Sequence, residues 1–527
     1  MNIDSNIYWL GLIPLLPVLA ALWIALGYLS GRNCGEAGEG QTSIVAVGSV
    51  LLSLFGLLWL DVQTLLTGVA PGYIIVANWF GVAEVQFQIS FLLDAFALGM
   101  ATLVALLALL GLRFSVNYMH REAGYQRFFM ILCLFTAAML LIVMAGNAVL
   151  VFVGWELAGL SSYLLIAYSY ERTTAAANAT RVFITNRIGD AGFIIAIALS
   201  YFWLGSSDWS VINTAGQSLE SMQYALLGIA FVLAALVKSA QVPFTPWLAR
   251  ALEGPTPSSA LFYGALMVHA GVYLLIRLQP LLEQIPELMT MLLVIGLLTS
   301  LYGFFGQLVQ VDTKSMLIFS TSTQVGLMVA FCGLGWFKLA AGLLFLHAIW
   351  RGFQFFNAPG LMHLMGRATR PAPAFLKKCQ RLYVASLQRF WLDSLADGLL
   401  VRPTQSLAKD AQYFEQHVVN RMVGLADSAG SVSSLAQWEA FRLDGERRVR
   451  GDYGDIAVGR GMLGRSMQWL AMLLHWFEEH LVLSGGDEGI KRLILRLGSL
   501  LMRVDELLSH PRYLLLMVAV TFVVILS

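Results

Sequence analysis

The feature that most constrains this chain is the recurrence of apolar runs about twenty residues long. An α-helix rises 1.5 Å per residue, so crossing a hydrocarbon layer of roughly 30 Å takes about 20 residues. About eleven such runs precede residue 370 by this ~20-residue criterion. They fall near 7–29, 42–62, 92–112, 127–145, 146–168, 180–204, 222–248, 257–279, 287–309, 315–335 and 337–363. They are too continuous for barrel strands, which alternate apolar and polar residues. The 527 residues are 58% hydrophobic and only 12% charged, against about 25% charged in an average soluble domain. The reading is an all-α polytopic membrane protein with about 11–13 transmembrane helices. A net charge of +1 gives no case for nucleic acid.

Punctuation between the runs adds detail. APGYIIVANWFGVAEVQFQIS, between the second and third, alternates apolar and polar residues and predicts a β-hairpin outside the bilayer. The fourth and fifth runs nearly merge, with a boundary placed at Gly146-Asn147. The first run lacks a basic leader and a small-residue cleavage site, so it is expected to remain as a helix. Pro243 and Pro246 predict a break near 238–246, and Pro359 a second near 347–359. After residue 366 the chain turns basic and Pro-rich in RATRPAPAFLKKCQR. Three segments follow: a membrane domain over 1–366, an amphipathic cytoplasmic helical region for partner docking over 367–508, and a C-terminal membrane helix or anchor over 509–527. The cytoplasmic placement rests on Lys/Arg near the membrane. Within the amphipathic region, SMQWLAMLLHWFEEHLVL is expected to lie on a membrane or a partner. Cys34, Cys133, Cys332 and Cys379 are scattered, without CxxC or a Cys/His spacing that suits zinc.

Ionisable residues inside such runs cost at least ~2.5–3.5 kcal/mol on insertion scales, so they face a bundle interior, pair, or line a water path. Glu156 stands in VLVFVGWELAGLSSYLLIAY and Lys238 in LGIAFVLAALVKSAQVPFTPWL. A Glu–Lys pair of movable spacing can pass electrostatic free energy along a bundle; the blander readings are packing for Glu156 and snorkelling for Lys238. His269 sits in LFYGALMVHAGVYLLIRL, where an imidazole can relay protons near neutral pH. Tyr263 and Tyr273 flank it and are expected to extend its hydrogen-bonded path. Lys314 stands beside Asp312 at a helix start, where a local salt bridge competes with a relay role, and Ser320 to Gln324 form a polar face that can hold water. His347 and Arg351 are four apart on one helix face. Arg351 can set the local field but cannot shuttle a proton. His363 reads as interfacial. Asp94, at the start of a span, reads equally as cap, interface pair or relay. Arg187 and Asp190 are expected to pair at i,i+3.

The stretches NYMHREAGYQRFF, FVGWELAGLSSYLLI, FITNRIGDAGF, VKSAQVPFTPWLARALEGPTPSSAL and DTKSMLIFSTSTQVG resemble, in order, the antiporter-like proton-translocating subunits of respiratory complex I and of Mrp cation/proton antiporters. The resemblance implies an antiporter-like bundle with inverted repeats. It matches Glu156 and Lys238 to the paired charge of a first half-channel, and His347 to a histidine on a long broken helix. It also has departures. Complex I relatives carry His where this chain has Tyr263, no His at 269, and usually Lys where this chain has Arg351. They also continue with further spanning helices. SSALFYGALMVHAGVYLLIRLQPLL and HAIWRGFQFFNAPGLMH are similar to a sub-branch, the DabB-type membrane subunits of DAB inorganic carbon accumulation complexes.

That sub-branch implies a large, soluble, zinc-containing DabA-type partner. It also implies a cation gradient, H+ or Na+, that drives one-way CO2 hydration to bicarbonate. On this expectation the chain is a multi-pass protein of a bacterial inner membrane, not an enzyme by itself and without a cofactor of its own, the zinc being in the partner. Protons would pass Glu156 and Lys238, then His269, and reach His347 and Arg351. The competing expectation is a proton-pumping subunit of a complex I-type NADH-quinone oxidoreductase or a Mrp-type antiporter.

Overall fold

The computed structural model describes residues 9–82, 85–215, 218–358, 373–415 and 469. It divides into two compact units, Met1–Arg402 and Pro403–Ser527. Among the described residues, eleven helical stretches are long and apolar enough to cross a membrane. These are α1 (Trp9–Leu29), α2 (Glu39–Thr67, entered through a 3-10 turn at Glu36–Gly38), α3 (Ala95–Tyr118), α4 (Tyr125–Met144), α5 (Ala148–Ile166), α6 (Thr173–Leu204) and, after the short α7 (Trp209–Asn213), α8 (Ser221–Lys238). After the short α9 (Pro246–Arg250), a composite stretch is built from α10 (Thr256–Ser259), a π-helical segment (Ala260–Ala265) and α11 (His269–Arg277). The short α12 (Gln279–Leu282) leads to α13 (Pro286–Gln307), α14 (Thr313–Gly333) and α15 (Phe337–Phe356). The spans therefore stand where hydropathy places them.

The hairpin expected between the second and third spans is present, with β1 (Gly72–Val82) antiparallel to β2 (Val85–Leu93) and two register irregularities. It is tied to one end of the bundle. Tyr73 Oη donates to Asp208 Oδ1 at 2.9 Å, and Asn147 Nδ2 donates to Gln88 O and Ser90 Oγ at 2.9 and 2.7 Å. Burial, aided by Asp208, pushes the Tyr73 phenol up to about 12. Asn147 also caps α5 by accepting from Leu150 N, so the boundary expected at Gly146-Asn147 stands. The opposite end of the bundle is stitched by other contacts. His120 Nδ1 meets Glu39 Oε2 at 2.7 Å, and Tyr118 Oη meets Thr256 Oγ1 at 2.9 Å.

Two spans depart from single rods. The run expected over 222–248 stops at Lys238, because Pro243 and Pro246 deny amide donors and disfavour helix before them. The freed backbone finds other partners: Gln241 N donates to Leu236 O, Val242 N to Thr299 Oγ1, and Trp247 Nε1 to Val237 O. The second interruption, within Thr256–Arg277, carries no proline signal. There Leu266 N and Met267 N reach back five residues to Leu261 O and Phe262 O, a π-type widening that often marks functional sites. By contrast, α15 runs unbroken from Phe337 through Arg351 and stops at Phe356. Pro359 and His363 lie outside the described residues, as do most of 367–508 and all of 509–527.

Small residues let the helices approach closely, as membrane packing requires. A Cβ added to Gly296 on α13 would meet Gly326 O on α14 at 2.6 Å. The tightest approach bearing on the interior is Gly271 on α11, where a Cβ would stand 2.1 Å from Ser239 Oγ and 2.2 Å from Ala235 O. Backbone cannot yield as a side-chain tip can. Gly271→Ala should therefore cost about 1–3 kcal/mol or more, read as a lower midpoint of thermal aggregation in detergent. An unchanged midpoint would show that α8 and α11 can separate freely.

Beyond α15, residues 373–402 remain part of the first unit. Arg389, Phe390 and Trp391 are all left-handed, with φ between 51° and 56°. This segment ion-pairs to the bundle through Asp393 with Arg250 at 3.1 Å and Asp397 with Arg181 at 3.2 Å.

Candidate functional site: two charge clusters

The first cluster joins α5, α6 and the end of α8. Glu156 projects from α5 and Arg187 and Asp190 from α6, three residues apart and so on one face. Arg187 Nη1 donates to Glu156 Oε2, and Nη2 pairs with Asp190 Oδ2 at 2.8 Å. The expected Arg187–Asp190 pair is therefore present, and Arg187, not Lys238, is the cation in direct contact with Glu156. Lys238, only 1% exposed, donates from Nζ to Trp155 O at 3.0 Å and lies 4.9 Å from the Trp155 ring centre. The reason is positional. The last turn of α8 brings Lys238 to the backbone of α5 one residue short of Glu156, over Gly159. A Cβ there would sit 3.6 Å from Lys238 Nζ and 3.3 Å from Arg187 Nη2, so Gly159 leaves space between the two cations.

The second cluster joins α11, α14 and α15. His269 opens α11 just after the π-helical segment. Its Nε2 lies 2.8 Å from Nδ1 of His347. Arg351 Nε donates to His347 Nε2 at 3.3 Å, Nη2 to Ser320 Oγ at 2.9 Å and Nη1 to Gln354 Oε1 at 3.0 Å. All three central residues are buried. The guanidinium has only donors, so His347 must accept at Nε2 and carry its proton on Nδ1. That proton is then donated to His269 Nε2, which leaves the His269 proton on Nδ1. These tautomers follow from the bonding pattern. They give a chain of imidazoles with one direction, capped at one end by a group that cannot release a proton.

The other expected residues fall elsewhere. Tyr263 Oη bonds Ser162 Oγ on α5 at 2.9 Å, and Tyr273 Oη donates to Val143 O at 2.6 Å. Neither hydroxyl bonds His269, because the π turn points Tyr263 towards α5 and Tyr273 lies a full turn further along α11. Lys314 does not pair with Asp312. Its Nζ donates to Thr256 Oγ1 at 2.5 Å, while Asp312 caps α14 at Ser315 N. Asp94 is both cap and pair: it accepts from Ala97 N at 2.8 Å and binds Arg277 through both carboxylate oxygens. The sequence reading missed Trp155, Gly159, Gln354 and Arg277. Of these only Arg277, a charge at the end of an apolar run, carried a signal of its own. Among the described residues no group of three or more His, Cys, Asp or Glu converges as a metal-binding site.

The chain is similar to a known group of membrane proteins. A family model described as NADH:quinone oxidoreductase/Mrp antiporter, transmembrane, matches residues 145–371, which hold both clusters. A model described as complex I chain 5 N-terminus matches residues 79–129. NADH-ubiquinone oxidoreductase chain 5 of Allomyces macrogynus is 36% identical over 66% of this chain and 54% of its own length. NAD(P)H-quinone oxidoreductase chain 5 of Picosynechococcus is 33% identical over 67% of this chain and 54% of its own. A solved Mrp complex from Dietzia contains a chain that superposes with a TM-score of 0.57 and 26% identity, over 66% of this chain and 37% of that one. The chain is a multi-pass membrane protein with the antiporter-like fold of complex I and Mrp subunits. It spans about half the length of the curated relatives it matches.

Proposed function

We propose that this chain translocates protons across a membrane as the antiporter-like subunit of a larger complex. The observation that carries the reading is the buried His269–His347 pair, hydrogen-bonded at 2.8 Å across two helices. Two imidazoles in such contact take up an added proton as one imidazolium, and that proton crosses the hydrogen bond as donor and acceptor exchange. A redox or packing role needs no such pair. The first cluster supplies the charge that moves: Lys238, held by a carbonyl and a ring but not by a direct carboxylate contact, can shift towards Glu156 and Asp190 or away from them. Arg351 holds the tautomers of the pair and carries no proton itself.

The ends of the bundle differ in charge. Arg32, Arg121, Arg127, Arg172 and Lys314 stand at the end away from the hairpin. Among the described residues the hairpin end has only Arg277 and Lys338. The positive-inside rule then puts the hairpin on the non-cytoplasmic face. A bacterial inner membrane suits this reading, as does an organellar one, since the relatives include a cyanobacterial protein and chloroplastic proteins. On this reading the chain is not an enzyme by itself and any redox chemistry belongs to its partners.

His347→Gln keeps a polar side chain but removes the exchange. Proton flux into liposomes should fall about a hundredfold, the low end of what a positioned proton-transfer group contributes, with the thermal midpoint little changed. Flux equal to the wild type would sink the relay. Repeating the assay with a sodium gradient separates H+ from Na+.

A second reading has support in the residues at 263, 269 and 351, where Tyr, His and Arg depart from the complex I pattern. It makes the chain the ion-conducting half of an inorganic carbon accumulation system, working with a soluble zinc-containing DabA-type partner. The family relatives favour the first reading. Protonophore-sensitive inorganic carbon uptake in cells lacking carbonic anhydrase would favour the second. Co-purification of flavin or iron–sulfur subunits, or of several small membrane subunits, would exclude it.

A further inference from the structure

Helix α11 carries three polar residues at i, i+4 and i+8: His269, Tyr273 and Arg277. Residues at this spacing lie along one helix face. They run from the buried histidine pair towards the hairpin end of the bundle, a rise of ~12 Å over eight residues. Accessibility grows along the row. His269 is 1% and Tyr273 3% exposed, the Arg277 side chain 10%, and its partner Asp94 43%. The upper members are joined. Arg277 Nε donates to Tyr273 Oη at 2.9 Å, and its Nη1 and Nη2 donate to the two Asp94 carboxylate oxygens. The guanidinium also lies over the Phe96 and Tyr273 rings, 5.6 and 5.3 Å from their centres. Asn213 Nδ2 donates to the Arg277 carbonyl at 3.1 Å, which fixes the end of α11.

Burial works against the ionised form of Asp94. The bonds from Arg277, then that from the Ala97 amide, outweigh it and hold the carboxyl below its ordinary value. A carboxylate in that state does not keep a proton it receives. It is half-exposed, so it meets bulk water directly.

Resting on the proton-translocation reading above, we propose that Asp94, clamped by Arg277, is the port through which protons pass between the buried His269–His347 pair and water at the hairpin face. A proton that reaches Asp94 breaks one Arg277–Asp94 hydrogen bond and makes Asp94 a neutral acid. The acid gives that proton to bulk water, and the regenerated carboxylate closes again on Arg277. Tyr273 is the positioning residue, since its hydroxyl holds Arg277 Nε in place. The competing account makes the pair only a staple between α3 and α11.

The test uses the full chain, purified with its bound partners and reconstituted in liposomes. Proton flux is measured for Asp94→Asn and for the double variant D94N/R277Q, which removes both charges and so leaves no unpaired guanidinium. Sodium azide is the weak-acid probe, added to the hairpin side or to the opposite side. The port predicts flux at least tenfold below wild type in both variants, recovered by azide from the hairpin side and not from the other. Wild-type flux in a folded D94N variant would overturn it. So would slow flux in a folded variant that azide leaves unchanged, the staple result. His347→Gln measured alongside keeps the two readings apart. If His347→Gln stops flux and Asp94→Asn does not, the port alone fails. If neither changes a robust wild-type flux, the proton path fails with it.

Discussion

Lys238→Met is expected to stop proton movement while leaving the bundle folded. Lys238 is almost fully buried and, among the described residues, takes part in no direct ion pair; its Nζ contacts a carbonyl and a ring. Taking an ammonium out of water carries a desolvation penalty of several kcal/mol, which a methionine of similar volume does not incur. Methionine fills the same slot beside Gly159 and Trp155. The two carboxylates keep Arg187, so no negative charge is left without a cation in contact. The thermal midpoint should therefore stay level or rise. Proton flux should fall about a hundredfold or more, because the mobile charge between the carboxylates and the relay is gone. Unchanged flux with normal expression would remove Lys238 from the mechanism. Collapse of the fold would mean that its charge is structural.

Arg187→Gln is expected to do the opposite. Here one guanidinium holds Glu156 from α5 and Asp190 from its own helix. Asp190 is 3% exposed. Removing the shared cation leaves two carboxylates close together in a low-dielectric interior. The Arg187 and Glu156 side chains are 35% and 29% exposed, so the cost falls below the ~3–5 kcal/mol of breaking a fully buried pair. Glutamine can donate a hydrogen bond to one carboxylate but cannot neutralise either. Protein yield and the thermal midpoint should drop together, and flux per folded molecule should drop with them. The double variant R187Q/D190N returns the cluster to one carboxylate facing Lys238, and it should recover most of the lost stability. Failure of that recovery would show that Arg187 acts through packing on the Phe183 ring, which it overlies at 4.5 Å, and not through charge.

The contrast between the two substitutions comes from geometry that residue types alone do not contain. Glu156, Lys238, Arg187 and Asp190 all announce themselves as charges inside apolar runs. Which cation touches which carboxylate depends on where α8 stops and on how α5 and α6 rotate against each other. Trp155 and Gly159 became part of the site only because the α8 terminus lands on that turn of α5. In the second cluster, the i,i+4 relation of His347 and Arg351 belongs to a single helix and was visible beforehand. Their meeting with His269 and Ser320 was not, since it brings together residues far apart in the chain. The π-helical segment before His269 has no sequence mark of the kind that Pro243 and Pro246 supply for α8.

Hydrophobic run length is a local property, set by the cost of leaving backbone and side-chain polarity in hydrocarbon. For that reason the sequence by itself determined the membrane class, the eleven spans, the hairpin and the break after Lys238. It also determined that His269, His347, Lys238 and Glu156 must face a bundle interior, pair or line a water path. The pairings were decided by tertiary packing. Bond partners at 2.8–3.3 Å depend on helix rotation and on close contacts such as that of Gly271 against Ala235. A change of one residue in register would turn each side chain by about 100° at 3.6 residues per turn. The direction of the imidazole chain, and the row from His269 to Asp94, exist only once that rotation is set.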